Sequence, residues 1–271
     1  MALAAGGAAA MIYRLIVWVL ALILLVPMAV FLIYAFAQGW FFPALWPERW
    51  DSALFLRQLA DPQLRRAFGQ SLIIATGVSI LALVLGYPAA RVLELQAFRG
   101  RGLIYGLFFL PTVVPSVATG IGLNIVFLRL GLAGTLFGVM LVHLIPVLPY
   151  VVLTLGSSFA RYDRNYELQA AVLGASPWFV FWRVSVPMLL PSLVVAGVLA
   201  FLISWSQYVL SLLIGGGKII TLPMLLFSAA SGGNQSLIAS LSLIFIAPLL
   251  LLLGLVARYL GSPATGATPR P

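Results

Sequence analysis

The chain has no cysteine, one histidine and only six acidic residues. Without cysteine it can form no disulfide, thiolate nucleophile or thiolate-bound metal, and the few other titratable groups argue against acid–base or metal catalysis. Charged residues make up 8% of the 271 positions, whereas a soluble domain has roughly 25%. So few charges cannot cover a water-facing surface, and the composition therefore excludes an ordinary soluble domain.

Hydrophobic residues are plentiful instead, and they lie in runs of about 20, the length that crosses a hydrocarbon layer of ~30 Å. This pattern predicts an all-α integral membrane protein with about six transmembrane helices in a single domain, residues 1–271. The predicted spans are 15–37, 69–95, 102–127, 135–158, 188–214 and 237–260.

The two ends of the chain have different expected fates. The first apolar stretch follows Arg14 and is longer than the roughly 7–15 residues of a signal peptide, so it is interpreted as a retained span. Residues 262–271 combine proline, threonine, alanine and glycine, and they are expected to form a disordered tail.

The basic residues indicate how the spans are oriented. With the N-terminus placed inside, nine Lys or Arg residues fall on the cytoplasmic side and six fall outside. Cytoplasmic loops carry the excess of positive charge, so both termini are predicted to be cytoplasmic. The same residues are scattered over short loops rather than clustered, which argues against nucleic-acid binding despite a net charge of +9.

Residues 159–187 form the longest polar interval on the predicted cytoplasmic side, and their order predicts a helix, a turn and a second helix. Residues 166–173 are good helix formers, and Gly174 can end the helix in a left-handed conformation. Ser176 can cap the next helix, with Pro177 at its first position, and Pro187 marks the entry to the fifth span. An ordinary connector is the alternative interpretation of this interval.

This interval resembles the EAA loop of type I ABC importer permeases, the MetI-like inner-membrane components of binding-protein-dependent transport systems. The family pattern is Glu-Ala-Ala, three residues, Gly, nine residues and Ile-x-Leu-Pro. With Gly174 as the anchor, Val184-Ser185-Val186-Pro187 fits that spacing, and Gly174-Ala175-Ser176-Pro177-Trp178 matches a frequent continuation. The Glu-Ala-Ala positions fall on Leu168, Gln169 and Ala170, with Glu167 one residue earlier.

The resemblance implies an assembly in which this chain forms half of a translocation pathway within the inner membrane. Its expected partners are a dimer of ABC ATPase subunits, a second permease subunit and an extracytoplasmic solute-binding protein. ATP and magnesium would be used by the ATPase, and this chain would bind no cofactor. The coupling residues that the resemblance implies are Arg164, Glu167, Ala170, Ala171, Gly174, Ala175, Ser176 and Pro187.

Polar residues inside the predicted spans are candidates for the pathway, because such residues are costly in lipid. The candidates are Ser204, Ser206, Gln207 and Tyr208 in span five, Asn124, Thr119 and Ser116 in span three, and Tyr150 in span four. Hydrogen bonds between helices are the alternative role for each. For His143 we expect packing or a satisfied hydrogen bond rather than a metal.

The resemblance extends to the subgroup of permeases that serve polyamines, ferric iron and thiamine. No acidic residue lies in the middle of a predicted span, which argues against a polyamine as the substrate. The aromatic and amide candidates instead suggest a thiamine-like organic cation. Two other classes remain as alternatives. A secondary transporter would need coupling carboxylates or inverted repeats, and a membrane-embedded enzyme would need a nucleophile or clustered metal ligands.

The orientation can be tested in the natural cysteine-free background. Cysteines introduced at Gln58, Asn165 and Asn234 should react differently with a membrane-impermeant thiol reagent on intact cells. Positions 58 and 234 should be labelled and position 165 spared, because only the first two are predicted to face outward. Labelling of position 165 alone would reverse the orientation.

Overall fold

The computed structural model of the chain describes residues 2–38, 40, 44 and 46–261, so the predicted tail lies outside the described residues. Helices dominate the described part. They are α1 (Ala2–Phe36), α2 (Ser52–Ala60), α3 (Pro62–Leu95), α4 (Arg101–Val113), α5 (Ser116–Arg129), α6 (Leu136–Phe159), α7 (Asn165–Val172), α8 (Pro177–Val180), α9 (Val186–Trp205), α10 (Val209–Gly215), α11 (Leu222–Ser231) and α12 (Gln235–Gly261).

Five helical segments are long and apolar enough to cross a membrane, and a sixth span is formed if a bent helix pair is counted as one. The five are Tyr13–Phe36, Pro62–Leu95, Leu136–Phe159, Pro177–Trp205 and Gln235–Tyr259, and the pair is Arg101–Val113 with Ser116–Arg129. The prediction of an all-α membrane protein with about six transmembrane helices is confirmed.

The third predicted span, 102–127, is not one helix: α4 and α5 meet at an angle of 101°. Pro115 causes the break, because proline donates no backbone hydrogen bond and disfavours the helical conformation in the residue before it. Val114 is accordingly extended, with φ −77° and ψ 129°. The sequence placed this proline inside a span but predicted only a kink.

The fifth predicted span, 188–214, also differs from the structure at both ends. A continuous helical segment begins at Pro177 and ends at Trp205, and α10 follows after a break at Ser206–Tyr208. Pro187 therefore does not begin the helix. Residues Phe181–Ser185 form a π-helical turn in which the Val186 amide donates to the Phe181 carbonyl, five residues back. The wider turn leads the helix into Pro187, which has no amide hydrogen to donate.

The described residues group into two compact units. The first lies within 1–65 and 225–247. In it, a short antiparallel ladder pairs β1 (Ala37–Gln38) with β2 (Arg49–Trp50), and the Asp51 carboxylate caps α2 through the Ala53 amide at 2.8 Å. The Phe36 and Phe55 rings pack 5.1 Å apart, which joins α1 to α2.

The second unit lies within 66–224 and 248–271, and α6 runs through its core. Half of α6 is buried, including Val139, Val142, Val147, Val151 and Leu155. Ala196 and Ala200 are fully buried on α9, which packs along α6. Small side chains on one helix and branched ones on the other allow close packing in a bilayer, where no hydrophobic effect drives helices together.

Candidate functional site

The 159–187 loop contains the predicted turn. Gly174 has φ +85°, in the left-handed region, which confirms the prediction for this residue. The Ala175 amide donates to the Ala170 carbonyl and the Gly174 amide to the Ala171 carbonyl, both at 3.0 Å. This pair of bonds defines a Schellman motif, which fixes the direction in which the chain leaves α7.

The second helix of the loop starts as the sequence predicts. The Ser176 hydroxyl accepts a hydrogen bond from the Phe179 amide at 3.3 Å, and Pro177 occupies the first turn. Because α8 leads through the π-helical turn directly into α9, only Ala175 and Ser176 separate Gly174 from the membrane-spanning helix.

Glu167 on α7 connects this loop to α3. Arg91 donates to both carboxylate oxygens, from Nη1 to Oε1 at 2.8 Å and from Nη2 to Oε2 at 2.6 Å. The Tyr162 and Ser185 hydroxyls also donate to Oε1, at 2.8 and 2.6 Å. Glu167 is only 8% exposed. These four side chains, which we call the Glu167 cluster, join α3, α7 and the π-helical turn.

Opposing effects act on this carboxyl. Burial alone would raise the pKa of Glu167, but hydrogen bonds from Arg91, Ser185 and Tyr162 and the charge of Arg91 lower it to about 2. Burial raises the pKa of Tyr162 to about 12, so its hydroxyl keeps its proton and remains a donor. The cluster is therefore ionised and fully hydrogen-bonded at neutral pH.

Both carboxylate oxygens of Glu167 accept hydrogen bonds within the chain, and its role in coupling to an ATPase stays a prediction. Other coupling candidates do reach the surface. Arg164, Ala171, Gly174, Ser176 and Pro187 are exposed. Ala170 and Ala175 are half-buried.

The tip of the loop is apolar. Val172 and Leu173 are each 87% exposed, directly before Gly174, and Trp178 beyond the turn is 72% exposed. Behind this tip lies an open cavity of about 380 Å³ whose lining includes Arg91, Arg164, Ala171, Ala175 and Phe181. The loop therefore has exposed hydrophobic side chains at its tip and a partly charged cleft behind it.

The second group of candidates lies at the break between α9 and α10. Ser206 ends α9 and is exposed, whereas Gln207 and Tyr208 are half-buried and lie outside regular helix. Trp205 before the break is 2% exposed and stacks on Phe201 with ring centres 5.5 Å apart. The break is thus a short irregular segment between buried anchors.

The remaining pathway candidates are dispersed. The Asn124 side chain on α5 donates to the Leu213 carbonyl of α10 at 2.6 Å, and the Thr119 hydroxyl donates to the Pro115 carbonyl at 3.3 Å. Ser116 begins α5, and Tyr150 is exposed on α6. Asn124 therefore joins two helices, which is the alternative role that the sequence left open for it.

Ser204 is buried rather than open to a pathway, and its hydroxyl lies 2.9 Å from His143 Nδ1. His143 is hydrogen-bonded through both ring nitrogens, as the favoured interpretation of this residue expects. Within residues 2–38, 40, 44 and 46–261, no three acidic or histidine side chains lie close enough together to hold a metal ion.

Sequence reasoning missed Arg91, Tyr162, Ser185 and Ser211. Arg91 was counted only as a positive charge on the cytoplasmic side, although its position before the end of a predicted apolar span could have indicated a buried partner. Ser185 was noted only as the variable position of the Val184–Pro187 motif, and Tyr162 and Ser211 are common residue types without a distinctive spacing.

Comparison with known proteins identifies the family. Residues 82–262 match the family described as the binding-protein-dependent transport system inner membrane component. The chain is 31% identical over 246 residues to the putrescine transport system permease protein PotI of Escherichia coli K12, covering 86% of this chain and 85% of PotI. It is 32% identical over 228 residues to the molybdenum transport system permease protein ModB of Mycobacterium tuberculosis, covering 79% and 84%.

A third relative is the putative 2-aminoethylphosphonate transport system permease protein PhnV of Salmonella typhimurium, 29% identical over 252 residues that cover 87% of this chain and 89% of PhnV. Among solved structures, a bacterial ABC transporter involved in alginate import has the same fold, with a TM-score of 0.74 at 17% identity over 92% of this chain and 95% of that one.

These findings define the class as that of membrane permeases of ABC importers. The chain belongs to the family of binding-protein-dependent transport system inner membrane components, and it is an ABC importer permease subunit.

The Glu167 cluster generates a testable prediction about the loop. Replacing Glu167 with Gln should loosen the loop, because a neutral amide leaves Arg91 without its counter-charge. Removing one partner of a buried ion pair costs ~3–5 kcal/mol, and Arg91 is partly exposed, so we expect roughly 1–2 kcal/mol. Deuterium uptake at the amides of residues 165–173 should rise severalfold.

Asp163→Asn is the matched control, because Asp163 is an exposed acid of the same loop that accepts only from the Asn165 amide. The pKa of Glu167 lies below its ordinary value of 4.5, so the stabilisation is present above that value and is lost as pH falls from 4.5 towards 2. Equal deuterium uptake in both variants and the parent protein would show that the ion pair does not hold the loop.

Proposed function

We propose that this permease subunit forms half of a solute pathway and couples to a cytoplasmic ABC ATPase through the 159–187 loop. Its partners would be an ATPase dimer, a second permease subunit and an extracytoplasmic binding protein, with both termini in the cytoplasm. A structural neighbour, the alginate transporter, is in complex with a periplasmic protein that holds an alginate pentasaccharide, with a TM-score of 0.63.

The observation that carries the coupling proposal is the exposed tip of Val172 and Leu173 on a fixed turn. Two large aliphatic side chains that are each 87% exposed are unfavourable in water unless a partner covers them. The Schellman turn at Gly174 presents them in one orientation, which suits insertion into a hydrophobic groove. Arg164 adds a positive charge in the cleft behind the tip.

The structure supports a direct mechanical connection from this tip to the pathway. The helical segment Pro177–Trp205 has 29 residues and at ~1.5 Å per residue spans about 43 Å. It begins three residues after Gly174 and ends at the break that holds Ser206, Gln207 and Tyr208. A displacement of the loop would therefore move the end of the helix beside these candidates, and the Glu167 cluster would transmit it to α3 as well.

We infer that the chain is not itself an enzyme and that ATP and magnesium act on the ATPase partner. The sequence contains no Gly-x-x-x-x-Gly-Lys-Ser/Thr motif to hold phosphates. The Gly215-Gly216-Gly217-Lys218 string is followed by isoleucine rather than Ser or Thr.

For the solute we propose a small organic cation or zwitterion of the thiamine type, delivered by the binding protein. Gln207 and Tyr208 offer amide and phenolic groups to such a molecule at the break. The relatives named above serve putrescine, molybdenum and 2-aminoethylphosphonate, so their permeases accommodate different charges. The assignment can be tested by measuring which of thiamine, putrescine and 2-aminoethylphosphonate inhibits uptake by the assembled transporter. Inhibition by putrescine alone would replace the thiamine-type solute with a polyamine.

Substitution of Gly174 tests the coupling. Gly174→Asp should abolish solute uptake and solute-stimulated ATP hydrolysis while the subunit still inserts and folds. Within the described part of the chain, a Cβ at this position meets no atom within 4 Å, so the local penalty is only the ~1 kcal/mol of the left-handed conformation. The greater loss would come from a negative charge at the docking surface.

Gly174→Asn is the matched control, because asparagine has the shape of aspartate and tolerates the left-handed region, but carries no charge. It should retain most of the uptake. Wild-type uptake and coupled ATP hydrolysis in Gly174→Asp would reduce this loop to a simple connector.

Gln207→Leu tests the pathway. The substitution keeps the approximate size of the side chain and removes its amide, so uptake should fall while the recovery of the assembled complex stays the same. Leu128→Met, on an exposed residue of α5, provides a control for assembly. Unchanged transport kinetics in Gln207→Leu would remove this residue from the site.

A further inference from the structure

A buried polar chain crosses the break between α9 and α10. His143 on α6 is 1% exposed, and its ring lies between Ser204 on α9 and Ser211 on α10. The distances are 2.9 Å from Nδ1 to the Ser204 Oγ and 3.0 Å from Nε2 to the Ser211 Oγ. The two serines lie on opposite sides of the irregular segment Ser206–Tyr208.

The direction of these hydrogen bonds follows from the last one in the chain. The Ser211 hydroxyl donates its single proton to the Gln207 carbonyl at 2.9 Å. Its oxygen must therefore accept from His143, which places the imidazole proton on Nε2. Nδ1 is then an acceptor, and the Ser204 hydroxyl donates to it. Ser204 therefore donates to His143, His143 donates to Ser211, and Ser211 donates to the Gln207 carbonyl, which is the final acceptor.

These hydrogen bonds lie where water cannot substitute for them. Ser204 is 3% exposed and Ser211 is fully buried. The break removes regular helical bonds around Gln207, and a backbone carbonyl at membrane depth needs another donor. Ser211 supplies that donor, and His143 holds Ser211 in the orientation that reaches it.

We propose that His143 is a positioning residue that fixes the break and thereby sets where Gln207 and Tyr208 stand. This inference rests on the proposed function only in assigning these two residues to the solute pathway. That His143 holds the break can be tested without any solute.

The chain offers a matched control for the loss of a hydroxyl between α6 and α9. Ser158 on α6 and Ser192 on α9 also share a hydrogen bond, at 2.5 Å. This pair joins the same two helices as His143 and Ser204, but it lies more than a full turn away from the break. Ser192→Ala removes that helix contact and leaves the hydrogen bonds of His143 at the break intact.

The test uses a single cysteine at Gln207 in the cysteine-free background and measures its reaction rate with a small methanethiosulfonate reagent on the purified full-length permease. His143→Leu and Ser211→Ala should each raise the rate about fivefold, the factor that corresponds to one hydrogen bond. The double variant should react no faster than either single variant, because both substitutions interrupt the same series of hydrogen bonds. Ser192→Ala should leave the rate within about twofold of the parent, a spread below the contribution of one hydrogen bond.

A cysteine at Asn165, on the exposed surface of α7, reports on general loosening and should react at the same rate in every variant. If the His143→Leu protein does not fold, the Ser211→Ala variant alone tests the proposal, because that substitution removes only one oxygen atom. Unchanged rates at position 207 in a folded Ser211→Ala protein, or an equal rise in Ser192→Ala, would overturn the proposal. Normal uptake by Gln207→Leu would instead refute the pathway assignment and leave the positioning role standing.

Discussion

Backbone groups inside a bilayer have no water to bond with, and the interrupted spans of this permease are organised around that constraint. The helices are interrupted at two places: at Val114–Pro115 within the bent span, and at Ser206–Tyr208 between the span that ends at Trp205 and the short helix α10. The Ser211 hydroxyl donates to the Gln207 carbonyl beside the second break, and the Asn124 side chain donates to the Leu213 carbonyl near the end of α10. The Pro115 carbonyl keeps its regular bond from the Thr119 amide and accepts the Thr119 hydroxyl in addition. Polar side chains therefore supplement the backbone bonds at both irregular segments.

Ion pairs also join helices in this protein. Two of them, between described residues, start from α3: Arg91–Glu167 joins it to α7, and Arg101–Glu94 joins it to α4. Glu94 also accepts a hydrogen bond from Tyr105 on α4. Two of the six acidic residues in this membrane protein therefore join helices within the subunit. The exposed surface of the 159–187 loop is consequently dominated by aliphatic and aromatic side chains and by arginine.

Local chemistry could be predicted from the sequence, whereas long-range partners could not. The turn at Gly174 and the cap at Ser176 depend on residues a few positions apart, and both were predicted correctly. The bend at Pro115 was visible as a proline, but its angle depends on how α4 and α5 pack. Arg91 and Glu167 are 76 residues apart, and His143 and Ser211 are 68 apart. Such pairs are formed by the fold, so the partners of Glu167 and of His143 could not be predicted from the sequence.

The π-helical turn at Phe181–Ser185 is a place where the helix can lose one residue without changing the direction of the loop before it. Such a turn holds one residue more than an α-helical turn, and one residue corresponds to about 100° of rotation about the helix axis. Because the wide turn absorbs that residue, deleting a single position within Phe181–Ser185 would restore an α-helical turn and leave the Val172–Leu173 tip in its orientation. A deletion in the regular helical residues Pro177–Val180 would instead rotate the tip by about 100° without altering any of its side chains.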